Sequence, residues 1–331
     1  MQIRRLDPVE NPQDLAAVAP AFEQWRTDYL PDLPTPGRVR LRHSCMNGYR
    51  QQTIVFGVFA DEQASEAEGM ATYGFELTKN LDLTWADIQV PAAARGRGAE
   101  TALFEALMRQ NAELGRKRLA VGLPNTMVPA PFVKPHGGTL TDTSILSTLD
   151  LSAIDRARYE AWAEPSAKNG GYTLVGWIGH CPDELAESYC AALDAMADQP
   201  QGTFEYQWDK QSIDRLRFGE ELMREIGVRR YVQAALDPDG NVAGFNVIAG
   251  YPDEPELVEI WDTGVARNHR GHGLGLRIKA AASLWVLEDR PSTRVVSTYN
   301  DDENKWMLAV NRAMGYRPLV QWPGYEFAIT D

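Results

Sequence analysis

The stretch Val265-Ala-Arg-Asn-His-Arg270-Gly-His-Gly-Leu-Gly275 carries three glycines at alternate positions, directly after a run of β-forming residues. Glycine has no Cβ, so the backbone of such a turn can approach a ligand closely. The apolar spacing of the residues that follow predicts a helix. The first N–H groups of a helix have no partner within it and attract an anion. The stretch therefore predicts a strand, a glycine turn and a helix that together could bind a pyrophosphate.

A second copy of this pattern lies about half a chain length earlier, at Val90-Pro-Ala-Ala-Ala-Arg95-Gly-Arg-Gly98. Each copy follows two or three strand-like runs, and each is followed by an apolar-periodic run and a further strand-like run. Repetition of one supersecondary unit at this distance indicates two similar domains. We predict an α/β protein whose two tandem domains each contain a mixed, mostly antiparallel sheet flanked by helices.

The boundary between the predicted domains lies in a charged and polar segment that ends Asn169-Gly-Gly171. Such composition is typical of a connection between domains. The prediction is an N-terminal domain at 1–151, a linker at 152–171 and a C-terminal domain at 172–331.

Bulk composition excludes several classes of function. The chain has 331 residues and a formal net charge of −13, which disfavours nucleic acid as a partner because a phosphate backbone is bound by clustered Lys and Arg. No apolar run is long enough for a membrane helix, and the charged first residues predict no signal peptide. We expect no membrane partner. The oligomeric state, monomer or homodimer, stays open.

The three cysteines, Cys45, Cys181 and Cys190, are odd in number and form no CxxC pair. Reduced thiols and a cytoplasmic location are the simplest interpretation. The five histidines show no metal-ligand spacing, so we predict no metal site.

Three ligand classes use a glycine turn of this kind. A P-loop requires Lys-Ser or Lys-Thr after the glycines, and neither dipeptide follows them here. A dinucleotide fold requires glycines spaced G-x-G-x-x-G after a parallel strand, whereas these are spaced G-x-G-x-G after a predicted hairpin. The pyrophosphate of coenzyme A remains, beside the alternative of a tight turn that binds nothing.

Two motifs in the C-terminal half resemble the GNAT acetyltransferase family. Arg270-Gly-His-Gly-Leu-Gly275 is similar to the family signature, and Asn304-Lys-Trp-Met-Leu-Ala-Val-Asn311-Arg-Ala-Met-Gly-Tyr316 is similar to its next helix. The resemblance implies acetyl-CoA as cofactor. The cofactor-binding residues that it implies are Val265, Ala266, Arg270, Gly271, His272, Gly273, Leu274, Gly275, Asn304 and Asn311.

The N-terminal half resembles the family less well. Glu100 stands where the signature has Gly or Ala, and a carboxylate there would repel a pyrophosphate. The segment Met127–Gly137, where the next helix would lie, contains Pro129, Pro131 and Pro135, which break helices. The whole chain resembles the tandem-domain, actinobacterial type of GNAT protein, a group that includes mycothiol synthase, in architecture alone.

The family resemblance implies that an amine attacks the acetyl thioester directly, so a base must remove a proton from the amine. In some members this base is a Glu on the central strand, and its spacing from the glycines leads to Glu259. The same spacing leads to Thr84 in the N-terminal half, so we expect only the C-terminal domain to be catalytic. Asp262 is the competing base. Strict alternation places Glu259 and Asp262 on opposite faces of the strand, unless a bulge intervenes.

Other family positions leave alternatives open. Asn311 occupies the place of a Tyr acid and cannot donate a proton. Either the thiolate leaves without an acid, or Tyr299 or Tyr316 substitutes, although Tyr316 suits core packing better. Asn304 can bind pantetheine or cap its helix.

His272 can contact phosphate or lie exposed in its loop. A second set of residues can either line an acceptor pocket or pack in the core. These are Trp261, Trp208 and Tyr206.

The sequence thus favours an enzyme that acetylates a small-molecule amine. A non-catalytic acyl-CoA-binding protein is the second hypothesis, motivated by Asn311. A protein acetyltransferase that acts on Lys or an N-terminus is the third.

Overall fold

Strands rich in β-branched and aromatic residues alternate with helices along the chain. The chain forms two compact units. The computed structural model describes residues 1–127, 130–200 and 202–329. Unit 1 comprises Met1–Ser144, Gln201–Gln207 and Val320–Asp331, and unit 2 comprises Ile145–Pro200 and Trp208–Leu319.

Unit 1 begins with a strand, two helices and a meander. The helices of unit 1 are α1 (Pro12–Tyr29), α2 (Arg38–Ser44) and α3 (Ala99–Glu113). Its strands are β1 (Gln2–Leu6), β2 (Gln51–Phe59), β3 (Gly69–Glu76), β4 (Leu83–Gln89) and β5 (Arg118–Gly122). The next strand, β6 (Thr139–Asp150), begins in unit 1 and ends in unit 2. Asn11 caps α1 by accepting a hydrogen bond from the Gln13 N–H, and Pro12 follows at the first helical position.

Unit 2 repeats this order of elements. Its helices are α4 (Arg156–Ala163), α5 (Asp183–Leu193), α6 (Ile213–Glu225), α7 (Leu274–Asp289) and α8 (Lys305–Met314). Its strands are β7 (Thr173–Ile178), β8 (Arg229–Leu236), β9 (Val242–Gly250), β10 (Leu257–Val265) and β11 (Val295–Asp301). The last strand, β12 (Arg317–Ala328), begins in unit 2 and ends in unit 1.

The strand order is β1-β2-β3-β4-β5-β12-β6 in unit 1 and β6-β11-β10-β9-β8-β7 in unit 2. The pairs β4–β5 and β10–β11 are parallel, because a helix connects each pair. The other pairs with a described register are antiparallel. The predicted fold class, a mixed and mostly antiparallel sheet flanked by helices, is confirmed.

Apolar side chains fill both faces of the sheet in unit 2. On one face, α5 and α6 pack through Tyr189 and Leu216 against Val232 and Val247. On the other face, α7 and α8 cover a cluster that contains Val258 and Ile260. A polar side chain of β10 therefore has to lie at the end of the strand or in a gap between elements, because burial without a partner costs several kcal/mol.

The described units differ from the predicted boundaries of 1–151, 152–171 and 172–331. The segment from Val320 belongs to unit 1, because β12 pairs with β5 and Phe327 lies in the unit 1 core. The predicted linker is part of unit 2, where its helix α4 packs on α7. The Tyr159 hydroxyl fixes α4 by donating a 2.7 Å hydrogen bond to the Met314 carbonyl.

Among the described residues, no helix combines the length and the apolar character needed to cross a membrane. Cys45, Cys181 and Cys190 are free and buried.

Replacement of Phe327 tests the contribution of β12 to unit 1. The ring is fully buried, 4.6 Å from the Phe104 ring centroid and 6.1 Å from that of Phe132. Phe327→Ala should lower the free energy of unfolding of unit 1 by about 3–5 kcal/mol, because it leaves a cavity among these rings. Denaturant unfolding measures the change.

The matched control is Leu140→Ala, since Leu140 lies on β6 and is 57% exposed. This variant should change stability by about 0.5 kcal/mol or less. Equal effects of the two substitutions would contradict the assignment of β12 to the unit 1 core.

Candidate active site

The glycine turn of unit 2 has the backbone conformation that its sequence predicts. Gly271 and Gly273 have φ angles of 84° and 73°, which side-chain-bearing residues rarely adopt. No side chain caps the first turn of α7, which begins at Leu274. A Cβ on Gly271 or Gly275 would meet no atom within 4 Å, so space is open on this side of the turn. The geometry suits an anion at the helix N-terminus.

Two arginines make the turn electropositive. Arg267 and Arg270 both form 2.8 Å ion pairs with Asp198, which follows α5. The hydrogen bonds from Arg267 and then Arg270 lower the pKa of Asp198 below its usual range. Arg270 also donates a 3.0 Å hydrogen bond to the Val265 carbonyl. The two guanidinium groups share the single carboxylate of Asp198, so one positive charge beside the turn is not neutralised by this contact.

The other predicted cofactor-binding residues have mixed positions. The Ala266 N–H donates a hydrogen bond to the Ala243 carbonyl and is therefore not available to a cofactor. The Leu274 side chain is buried, so only the backbone of Leu274 could contact a cofactor. A ring nitrogen of His272 lies 3.0 Å from the Lys168 carbonyl. The side chain of Asn304 caps α8 by accepting a 3.2 Å hydrogen bond from the Met307 N–H.

A buried arginine that the sequence analysis does not identify, Arg277, links the helix after the glycine turn to the segment before β7. Arg277 donates hydrogen bonds to the carbonyls of Ala163, Asn169 and Tyr172, each at 3.0 Å. The Asn169 side chain in turn donates to the His272 carbonyl at 3.2 Å. The predicted linker therefore fixes the position of the glycine turn.

The corresponding turn in unit 1 is closed by its own side chains. Glu100 is buried and forms a 3.0 Å ion pair with Arg95. Arg95 also donates a 2.6 Å hydrogen bond to the Met127 carbonyl. Both charged groups of the turn are thus paired within unit 1, and the arginine of the signature is not open to an anion.

No α-helix occupies the described residues between β5 and β6, where unit 2 has α8. A 3-10 turn, Asn125–Met127, lies there instead. Phe132 packs on Phe104 with ring centroids 4.5 Å apart. Pro129, one of the three prolines in the prediction, lies outside the described residues.

A β-bulge at Trp261 brings the two candidate bases to one face of β10. Glu259 pairs with Ala249 and Asp262 pairs with Val247, so Trp261 is an extra residue. Residues 247 and 249 share a face of β9 because side chains alternate along a strand. Glu259 and Asp262 therefore both lie on the α5 face, and the strict alternation expected from the sequence does not hold. The described pairs of β3 and β4 in unit 1 show no such shift.

Polar groups surround the two carboxylates. The Trp261 indole donates a 3.2 Å hydrogen bond to Glu259. Burial raises the pKa of Asp262, and the guanidinium of Arg230 partly offsets this rise. Arg230 pairs with Ala249, in the same row as Glu259, and its charge also acts on the Tyr189 hydroxyl. One face of β10 thus carries two acids beside an arginine and a tyrosine.

The bulge also corrects a predicted correspondence between the units. Thr84 is not the counterpart of Glu259, because the extra residue shifts the alignment before the bulge by one position. Thr84 is buried and donates a 2.6 Å hydrogen bond to Asn111 on α3. The counterpart is Trp85, whose indole lies over Gly74. An indole cannot act as a base, so the difference between the two units persists.

Strands β10 and β11 separate beyond the fourth residue of their pairing. Their described register runs from Leu257–Val295 to Ile260–Thr298, although both strands continue. The bulge follows directly after the last of these pairs. The ends of the two strands therefore border a gap beside the glycine turn.

The predicted acid positions differ in their exposure. Tyr299 is 39% exposed at the end of β11, whereas Tyr316 is buried in the core. Asn311 is also buried, and its side chain is bonded to Lys279 and Asn300 at 2.6 Å each. Sequence reasoning did not single out Lys279 or Asn300, because a lysine in an amphipathic helix is usually exposed.

The three aromatic candidates for an acceptor pocket have different environments. Trp261 is half-buried beside Glu259, and Trp208 is 38% exposed in unit 2. Tyr206 belongs to unit 1, where its hydroxyl donates a hydrogen bond to Glu76. Over the part of the chain that the structure describes, no group of three or more His, Cys, Asp or Glu could hold a metal ion.

Comparison with known proteins places these features in a family. Residues 193–316 match the Acetyltransferase (GNAT) family. No curated protein sequence matches the chain.

Three solved structures have a similar fold. A tandem GNAT protein from the clavulanic acid biosynthesis pathway is 21% identical, with a TM-score of 0.79 over 100% of this chain and 99% of that chain. A GCN5-related N-acetyltransferase from Sphaerobacter thermophilus is 15% identical, with a TM-score of 0.65 over 99% and 96%. A glucosamine N-acetyltransferase region of a fungal multi-domain β-N-acetylglucosaminidase is 16% identical, with a TM-score of 0.64, and the chain covers 38% of that protein.

The matched residues contain the glycine turn, both candidate carboxylates and α8, while the fold similarity extends over both units. Residues 193–316 are thus similar to the GNAT acetyltransferase family, and the fold of the whole chain is similar to that of a tandem GNAT protein.

Proposed function

We propose that the protein transfers an acetyl group from acetyl-CoA to a primary amine of a small molecule, and that only unit 2 is catalytic. The observation that carries the proposal is the bulge at Trp261. It places Glu259 and Asp262 on one face of β10, next to the gap that opens between β10 and β11. Two carboxylates at one end of a gap attract a cationic amine and can accept its proton.

The glycine turn of unit 2 fits the pyrophosphate of coenzyme A. The uncapped first turn of α7 offers N–H donors, and open space lies beside Gly271 and Gly275. Arg267 and Arg270 supply positive charge at the same place. Bound acetyl-CoA would supply an activated thioester. The chain supplies the anion site, the base and the orientation of the two reactants.

Glu259 is the base in this proposal. It is half-buried, and its hydrogen bond from Trp261 holds the carboxylate beside the bulge. Asp262 lies on the same face beyond the bulge and is assigned the role of binding the amine. The acceptor has to be positively charged or to become so during attack, which favours amines over alcohols.

A small acceptor is the favoured class. One structure of similar fold is described as a glucosamine N-acetyltransferase region, so this fold is used with an amine on a small molecule. The three free cysteines favour a reducing compartment, and we place the reaction in the cytoplasm. Thiol release from acetyl-CoA with an amine panel and a peptide panel separates this function from protein acetylation. Binding without thiol release in either panel would indicate a non-catalytic acyl-CoA-binding protein.

Substitution of the two carboxylates tests the assignment of the base. Glu259→Gln should lower kcat by roughly 10²–10⁴-fold, because it keeps the shape of the side chain and removes its basicity. The affinity for coenzyme A should stay nearly unchanged, since the turn is untouched. Steady-state kinetics across pH and calorimetry measure the two effects.

Asp262→Asn is the matched comparison on the same face. It should raise KM for the amine more than it lowers kcat. Near-native turnover in Glu259→Gln together with loss of turnover in Asp262→Asn would assign the base to Asp262 instead.

A second prediction concerns where coenzyme A binds. Gly275 is the unit 2 counterpart of Glu100, and a side chain there meets open space. Gly275→Glu should weaken coenzyme A binding at least about tenfold more than Gly275→Gln does, because only the charged side chain repels a phosphate. Isothermal titration calorimetry measures both affinities.

Arg97→Glu serves as the control in unit 1, since Arg97 is exposed in the other glycine turn. This variant should bind coenzyme A as the wild type does. Weaker binding by Arg97→Glu, with unaltered binding by Gly275→Glu, would reverse the assignment of the site.

A further inference from the structure

Lys279 is buried, and none of the acidic residues that the structure describes forms an ion pair with it. Only 1% of the residue is exposed, and its ammonium lies 2.6 Å from Asn311 Oδ1 and 4.9 Å from the centroid of the Tyr316 ring. Burial lowers the pKa of Lys279 to about 7. An apolar residue at this place in α7 would pack without the cost of removing an amine from water. A stability argument alone therefore gives no reason for a lysine.

The lysine fixes the orientation of two amide side chains in series. A protonated lysine can only donate hydrogen bonds, so Asn311 has to present its oxygen to the Lys279 ammonium. The nitrogen of Asn311 then points the other way and donates a 2.6 Å hydrogen bond to Asn300 Oδ1. Asn300 consequently has to turn its own Nδ2 group away from Asn311. The orientation of the Asn300 Nδ2 group therefore follows from the presence of the Lys279 ammonium.

Asn300 lies where a donor is needed for the proposed reaction. It stands on β11 two residues beyond Thr298, the last residue paired with β10, and is only partly buried. Within residues 1–127, 130–200 and 202–329, Nδ2 of Asn300 has no hydrogen-bond acceptor. The free donor thus lies at the border of the gap between the two strands.

We propose that Asn300 is a catalytic residue that donates a hydrogen bond to the sulfur of the thioester, and that Lys279 and Asn311 are positioning residues that aim it. The inference rests on the proposed function. Attack forms the C–N bond, and the C–S bond breaks with its electron pair going to sulfur. The proton of the amine goes to the carboxylate base, and solvent protonates the released thiolate. Asn300 gives up no proton, so the residue at position 311 does not have to be an acid.

Polarisation along the series strengthens the donor. Each amide that donates through its nitrogen while it accepts through its oxygen becomes a better donor, and a nearby ammonium increases this effect. In a typical enzyme, loss of one such preorganised donor lowers kcat by roughly 10²–10³-fold. The energetic cost of burying Lys279 is consistent with a group that is retained for activity at the expense of stability.

Lys279→Met tests the positioning role, because it keeps the length of the side chain and removes the donor. It should raise the melting temperature, lower kcat roughly 10-fold or more, and leave the affinity for coenzyme A within about twofold. If Lys279 had only a structural role, Lys279→Met would lower the melting temperature. A lower melting temperature or a native kcat in Lys279→Met would overturn the proposal.

A double-mutant cycle with Asn300→Ala separates the two roles. Asn300→Ala should lower kcat roughly 10²-fold, and Lys279→Met should have little further effect in that background, because its action passes through Asn300. Multiplicative effects on kcat would show that Lys279 acts independently, and would contradict the series.

Asn311→Asp is a second test of the orientation of Asn300, and it is informative even if the Lys279→Met variant does not fold. A carboxylate at this position pairs with Lys279 and can only accept, so Asn300 has to turn its Nδ2 inward. The variant should be at least as stable as the wild type and should lose kcat roughly 10²-fold. Native kcat in this variant would overturn the proposal.

Ser283→Ala is the control, since Ser283 lies one turn further along α7 and is equally buried. It should leave kcat unchanged. Loss of activity in Glu259→Gln with native activity in Lys279→Met and Asn311→Asp would refute this inference alone. Absence of thiol release by the wild type with any amine would refute the proposed function as well, whereas the stability of the two variants still reports on the orientation of the amides.

Discussion

One extra residue in strand β10 is the constraint on which the candidate site depends. Trp261 interrupts the alternation, so that Glu259 and Asp262 share the α5 face. Without the bulge, one of the two carboxylates would enter the apolar cluster of Val258 and Ile260 under α7, at a cost of several kcal/mol. The bulge also marks the point beyond which β10 and β11 separate. A single irregularity thus brings two acids to the border of the gap.

The two units share a fold and differ in what their glycine turns leave open. In unit 1, Glu100 pairs with Arg95 inside the turn, and the strand before it has no described bulge. In unit 2, Gly275 leaves space at the corresponding position. Unit 1 uses β12 to complete its sheet, so its stability depends on the C-terminal end of the chain.

Much of the fold follows from local sequence patterns. The order of strands, glycine turn and helix in each half is the predicted one, because alternation and glycine placement are local properties. Long-range pairing is not local, and nothing around Val320 in the sequence indicates that this segment completes the sheet of unit 1. The position of the segment 152–171 within unit 2 is not a local property either. Its polar composition suggests a connection, whereas its backbone carbonyls accept the hydrogen bonds of a distant arginine.

The candidate site can be proposed from residue types, whereas its geometry cannot. The family resemblance leads to Glu259, with Asp262 as the competing base, but whether the two share a face depends on one bulge that no pattern specifies. The same bulge moved the counterpart of Glu259 from Thr84 to Trp85. Lys279 went unnoticed because its helical position suits a solvent-exposed lysine, and its burial depends on the packing of α8.

The central claim is that reaction takes place in unit 2, on the face of β10 that carries both carboxylates. The most direct test is a crystal structure of the protein with coenzyme A and an amine substrate. The account predicts pyrophosphate density at the first turn of α7, and an amine nitrogen about 2.6–3.2 Å from a carboxylate oxygen of Glu259 or Asp262. Coenzyme A bound at α3 of unit 1, or an amine on the opposite face of β10 beside Val258, would contradict it.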